Sequence, residues 1–540
     1  MTYRGSKAVA LAVALMPAWA LAHDHGDHEQ AAESYGKVHF PISCNPEVQP
    51  AFDRALAMLH SFAYAKSAAA FEEVSARDPD CSIAQWGVAM TYFHVIWGPP
   101  TEEEFAAGSA AAHNAMEAPA STDREGDYIE AISAYYQAEG PHAARVVAFE
   151  KAMAQVAERH PDDHEALIFH ALAILGVAYN SPPDKTYARQ KEAAKILNRM
   201  LALEPRHPGI AHYMIHSLDY PELAPLALQA ARAYAKIAPA APHALHMPSH
   251  IFTRLGMWKE SIASNLASAR TAQQWVAKTH PGATAFDAMH AMDYLEYAYL
   301  QTGQDAKARD VAETVAGVTR LDVPQFAAAY ALAAVPARHA LERRDWKEAA
   351  ALTPQPATFP WEKYPYAEAI VHFARAMGHS RIGNLDEAAR DVARLADLQA
   401  SLQGQKGFDW ATQVEVQRRA AAAWLLRAEK KNEEAVALLR SAAELEDSTD
   451  KHPVTPGAIL PAREQLGDLL SELDQPAAAL AEYQASLRSA PARFNAFDGA
   501  ARAALRAGKK REAKAFQRQL SALCGGPVPA RAGGAMTAAQ

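Results

Sequence analysis

Eight of the 23 histidines fall between His207 and His290, where an even spread over 540 residues would place only about three or four. Within that stretch two pairs stand four residues apart, His212/His216 and His246/His250, and each member of the second pair lies 34 residues after its counterpart. At 100° per residue, His212, His216 and Asp219 fall within about 60° of one another on one face of a helix. Neutral imidazoles stacked in this way can converge on a metal ion, whereas the same rings protonated and unpaired would repel one another. With imidazole and carboxylate but no thiolate nearby, the donors suit Cu(II), Zn(II), Fe(II) or Ni(II) and suit Mg or Ca poorly. The expected cofactor is therefore a transition metal, copper, zinc or iron. Two other readings stay open: rings that contact a peptide without metal, and histidines duplicated together with a repeat.

Other catalytic signatures are missing. HEALIFH at His164–His170 is not the HExxH of zinc proteases, and the chain contains no GxSxG, Walker loop or GxGxxG. It has no CxxC or CxxCH either, so thioredoxin-type redox chemistry and attached haem lack their signature.

Positioning the histidines falls to Ala-rich segments of helical period, with strand-type alternation almost absent. The clearest unit runs Gly467, Leu470, Ala479, Tyr483, Pro491, and the next repeats Ala501 and Ala513 at 34 residues. Similar pairs fit around Phe71/Pro79, Ala193/Pro205, Ala227/Pro239, Gly256/Ser261, Gly303/Ala308, Arg344/Ala349, Gly383/Ala388 and Lys430/Ala435. On these residues the chain resembles the tetratricopeptide-repeat family over most of Pro46 to Leu523. The resemblance implies an all-α fold, a right-handed α-solenoid of about ten to twelve helical hairpins. Segments 180–186, 280–285, 353–366 and 448–461 break the phase and read as insertions. The expected organisation is a repeat region over 46–352 carrying the histidines, an insert or linker over 353–366, a second repeat region over 367–523 and a flexible tail over 524–540.

The resemblance also implies that His212, His216, His246 and His250, with His243 and His290, face the concave groove. Neighbouring first helices pack about 8–10 Å apart and a metal–imidazole bond is roughly 2 Å long, so facing pairs can share an ion. His212, His216, His246 and His250 are the expected ligands of that ion. His243, His290, Asp219 and Asp293 would extend the shell, accept the second N–H of a ring, or hold a second ion. Arg254, Tyr297 and Arg338 would face the same groove, the arginines as clamps for an anionic substrate or peptide. His60 and His94, also 34 apart, are better explained by packing or duplication.

Residues 1–22 carry Arg4 and Lys7, an apolar run from Ala8 to Leu15, and Ala20-Leu21-Ala22, the pattern of a cleaved signal peptide. The expected location is periplasmic or secreted, with no later membrane span. An oxidising compartment makes Cys44 and Cys81 candidates for a disulfide, the pairing being open from sequence, and leaves Cys524 over. Residues 23–45 form a His-rich tail. Cleavage after Ala22 would put His25 third from a free amine, so His23, His25 and His28 could capture Cu(II) or Ni(II), unless the tail is simply polar and mobile. A formal charge of −9 argues against nonspecific nucleic-acid binding. Two functions follow: a solenoid holding a His-rich metal site, for catalysis or metal handling, or a metal-free scaffold that binds a peptide or protein in its groove.

Overall fold

A computed structural model describes residues 34–118, 122–405 and 407–531. The leader and His23, His25 and His28 lie outside them. The described residues are all-α, an α-solenoid of tetratricopeptide type, and apart from one isolated bridge between Thr284 and Leu321 they form no β-structure. Consecutive helices pack as hairpins, from Gln49–His60 with Tyr64–Arg77 to Phe494–Arg506 with Lys510–Cys524. No described helix is long and apolar enough to cross a membrane.

The turn within a hairpin requires a left-handed residue, and the sequence marks it repeatedly. Gly256, Gly303, Arg344, Gly383, Lys430, Asp474 and Gly508 all have φ between 59° and 87°. Glycine supplies that φ freely, and Arg344, Lys430 and Asp474 adopt it at a cost of roughly 1–2 kcal/mol each. Five residues beyond the last six of these turns stand Ala308, Ala349, Ala388, Ala435, Ala479 and Ala513, all buried. The small side chain lets the second helix close on the first. Only from Asp474 to Gly508 is the spacing 34; earlier turns lie 39–47 residues apart because the helices are longer and inserts intervene.

The two helices of a hairpin differ in burial. Every residue of Pro208–Leu218 is buried, whereas the following Leu228–Ile237 buries only Ala230, Ala231 and Tyr234. A helix that is largely apolar all round belongs inside, and one with a single apolar stripe belongs outside. The histidines sit on inner helices.

The apolar core has two large parts, one running from Tyr35 to Phe252 and one from Met289 to Ala513. Segment 353–366, the expected boundary, packs Phe359, Trp361 and Tyr366 into the second part, so the core does not divide there. It divides between Phe252 and Met289, with His212, His216, His243, His246 and His250 before the break and His290 just after it. Cys44 and Cys81 are joined by a disulfide that ties the start of the first hairpin to the helix Ser82–Phe93.

The groove is not open along its length. The insert 448–461 folds into it, and Tyr294 donates its hydroxyl to the carbonyls of Pro453 and Thr455, both at 3.0 Å. His452 stacks on Trp410 with ring centroids 5.0 Å apart. Farther on, Trp258 Nε1 donates to the Ala492 carbonyl at 2.8 Å, so the last hairpins close back on the middle of the chain.

Candidate metal centre

Prolines set the frame of the site. Pro208, Pro242 and Pro248 each stand in the first turn of a helix, where the missing N–H costs nothing. Pro248 also breaks the ladder between the short helices Pro242–His246 and Pro248–Arg254, while the residues around the break stay in the right-handed helical region. His246 and His250 therefore remain neighbours on one face.

The four expected ligands do not make one shell. They divide into two triads, His212 with His216 and His243, and His246 with His250 and His290, the donor atoms within each lying within 4.8 Å of one another. In the first, His212 Nε2 is 3.0 Å from His243 Nε2 and 3.1 Å from His216 Nε2. In the second, His246 Nε2 is 3.0 Å from His250 Nε2. The reason is helical geometry: a ring four residues on along one helical face, unbroken in direction even across Pro248, groups with its neighbour and not with its counterpart one repeat on, and each pair is completed by a ring from the following inner helix. These separations are short enough for the nitrogens of a triad to share one ion at a metal–nitrogen length of roughly 2.0–2.1 Å.

The back of each triad fixes its tautomers. His212 donates Nδ1–H to the His60 carbonyl at 2.7 Å, leaving the Nε2 lone pair toward the triad. His246 donates Nδ1–H to Asn265 Oδ1 at 2.7 Å, and Asn265 is itself oriented by donating to the Ser261 carbonyl. His250 donates Nδ1–H to Asp219 Oδ2 at 3.0 Å. Asp219 thus stands behind a triad ring, one of the places open to it in sequence, and it accepts from Arg254 Nε at 2.8 Å. Burial would raise the Asp219 carboxyl, but Lys451 and Arg254 outweigh it and hold it well below the carboxylate range.

Burial lowers all six imidazoles below the usual histidine range, and for every ring but His250 a neighbouring imidazole adds to the effect. At His250 the Asp219 carboxylate pulls the other way. The rings are neutral at physiological pH, the form that ligates metal. Phe62, at φ 55°, lays its ring 4.3 Å from that of His212 and helps close the first triad to water.

Several expectations need correction. Asp293 joins neither triad, because Arg338 takes its carboxylate at 2.5 Å. Arg338 is fully buried between Asp293 and Glu296 and cannot clamp a substrate. Tyr297 borders a cavity of about 890 Å³, but its ring is buried and its hydroxyl accepts from Arg493 Nη1 at 2.6 Å. Arg254 borders the same cavity, but its guanidinium is held by the Asp219 carboxylate and carbonyl. His60 lies behind the first triad in a separate buried cluster, bonded to Glu165 at 3.0 Å and Tyr213 at 2.8 Å, with His207 bonded to the same carboxylate at 2.8 Å. His94 caps its helix at φ 47° and packs on Tyr64.

Other residues had no signal in the chain. Asn265 stands on the outer helix Trp258–Thr279, and Lys451 reaches Asp219 at 3.4 Å across 232 residues. Burial and then Arg254 bring the Lys451 ammonium down to about 7. Asp287, one turn before His290, has its carboxyl raised to about 7 by burial and by Asp322.

No protein-family model matches the chain, and no curated protein matches it. Among solved structures it is similar to a human IFIT1 dimer with PPP-AAAA, at 11% identity and a TM-score of 0.36 over 87% of this chain and 89% of that one. It is also similar to the APC/C hetero-tetramer Cut9-Hcn1, at 13% identity and a TM-score of 0.31 over 89% and 88%. Yeast Tom70 follows at 11% identity and a TM-score of 0.28 over 88% and 84%.

Proposed function

We propose that this chain is an exported transition-metal protein that binds one ion in each histidine triad. The observation that carries the reading is the double orientation of the rings: Nε2 atoms converge at 3.0–3.1 Å, while the Nδ1–H groups of His212, His246 and His250 are held by acceptors behind. Three imidazoles per ion leave coordination positions open for water or substrate. Such a site serves catalysis or metal handling, and it is too well buried to act as a surface scavenger. Export is supported by the leader pattern and by the Cys44–Cys81 disulfide, which suits an oxidising compartment.

The test is elemental analysis of protein purified from its exported compartment without a histidine tag. Two ions per chain are expected, one in His212→Ala or His246→Ala, and none in the double variant. A folded wild-type chain without metal, or a double variant that keeps its metal, would overturn the reading. The cavity of about 890 Å³, walled by Trp258, Tyr330, Tyr366 and Trp410, favours a second reading in which the solenoid holds an extended peptide or protein segment. A metal-free chain that captures one specific partner would establish it.

A further inference from the structure

Between the triads lies a void of about 80 Å³. Two rings from each triad line it, His216 and His243 on one side and His250 and His290 on the other. The rest of the wall is mostly apolar, including Ile96, Met247, Phe286 and Val454. Ions held by the two triads would therefore present their open positions to the same small space.

Size and chemistry restrict what enters. The space is narrow, about 80 Å³ against about 150 Å³ for a cavity that binds benzene, so it suits a molecule as small as a diatomic better than an aromatic ring. An apolar wall disfavours a hydrated anion and admits a neutral gas. Paired metal centres that hydrolyse esters clamp the attacking and leaving oxygens of a sizeable substrate, which this narrow and mostly apolar space suits poorly. Neither triad contains a carboxylate, and Asp287, the one carboxyl lining the void, belongs to neither. A ligand that bridges the ions must come from outside. Neutral imidazole donors without thiolate or carboxylate suit copper, which binds such sites most tightly of the common divalent ions.

We propose that the two triads form one dinuclear copper centre whose exogenous ligand is dioxygen, an inference that rests on the metal-binding reading above. Each of two Cu(I) ions gives one electron to O2. One bond order of the O–O bond is lost, and the product is a peroxide dianion held between two Cu(II) ions. No proton is taken up and no further reductant is needed for this single event.

The experiment loads the intact chain anaerobically with Cu(I) to two ions per chain and then admits dioxygen. Uptake of one O2 per two coppers is expected, together with loss of the paramagnetic signal that two separate Cu(II) ions would give. His243→Ala and His290→Ala, one from each triad, should each retain one copper and take up no bridging oxygen. Full uptake by either variant would overturn the proposal. So would a wild-type chain that holds two coppers but takes up no oxygen, or that gives two independent Cu(II) spins, and the metal-binding reading would then survive. A chain that takes no copper and is metal-free as isolated would remove both.

Discussion

At the scale of single residues, the six imidazoles are governed by what stands behind them. Asn265 and Asp219 fix the tautomers of His246 and His250 through bonds of 2.7 and 3.0 Å. Partners of this kind typically affect metal affinity by 10–100-fold. Asn265→Ala and Asp219→Asn should therefore weaken one of the two sites by about that factor and leave the other unchanged, as read by competitive metal titration. The depressed histidines also set an acid limit. Burial brings His142 and His339 down to about 4 in the folded chain, against 6.5 when free, and the six triad rings are displaced in the same direction. Between pH 6.5 and 4 these histidines bind more protons in the unfolded chain than in the folded one, so the stability they supply above pH 6.5 is lost as pH falls through that window, and the buried carboxyls of Asp287 and Glu446, raised to about 7, work in the opposite direction. The denaturant midpoint of the metal-free chain should drop steadily from pH 7 to pH 4.5. A midpoint that rises over this range would show that the buried histidines do not dominate the titration.

At the scale of helices and hairpins, small residues decide how closely neighbours approach. A Cβ added at Gly499 would lie 2.3 Å from the Tyr483 ring, and one at Gly467 would lie 2.8 Å from it. That ring cannot move aside easily, because its hydroxyl donates to Asp468 at 2.6 Å. Gly499→Ala should destabilise the chain by about 1–3 kcal/mol through overpacking, seen as a lower urea midpoint. The Cys44–Cys81 crosslink closes a separation of 37 residues. On the chain-entropy argument a loop of that size stabilises the folded state by about 4 kcal/mol. The Cys44→Ala/Cys81→Ala double variant should melt at a clearly lower temperature than the wild type, and equal melting would show that the bond is not formed in solution.

At the scale of the whole molecule, stacked hairpins are joined by buried ion pairs between parts distant in sequence. Arg493 bonds Glu342, Glu464 and Tyr297 within one fully buried network. Removing its charge would leave two carboxylates buried without a cation, which typically costs 3–5 kcal/mol. Arg493→Met should show that loss in a denaturant titration, and Glu342→Gln added to it should recover part of it. The insert 448–461 packs against the second histidine triad in the same long-range way, through Tyr294 and the Pro453 and Thr455 carbonyls. Removing it in thought leaves the triads facing an open groove.

The hairpin architecture was legible in the chain because it repeats. A left-handed turn residue followed five positions later by a small buried one is a local requirement, and Gly303/Ala308 or Lys430/Ala435 display it without reference to any distant residue. The histidine pairs were legible for the same reason, since four residues along a helix always lie on one face. Which rings completed each pair was not legible. His243 and His290 depend on how successive inner helices turn relative to one another, and that angle is set by packing along the whole stack. The fates of Asp293 and Arg338 were hidden likewise: both were expected to face the groove, but the folded chain buries the two side chains together and pairs their charges with each other. Local periodicity determined the fold and the face. Contacts across tens to hundreds of residues decided that the histidines gather as two triads, and that an insert packs against them.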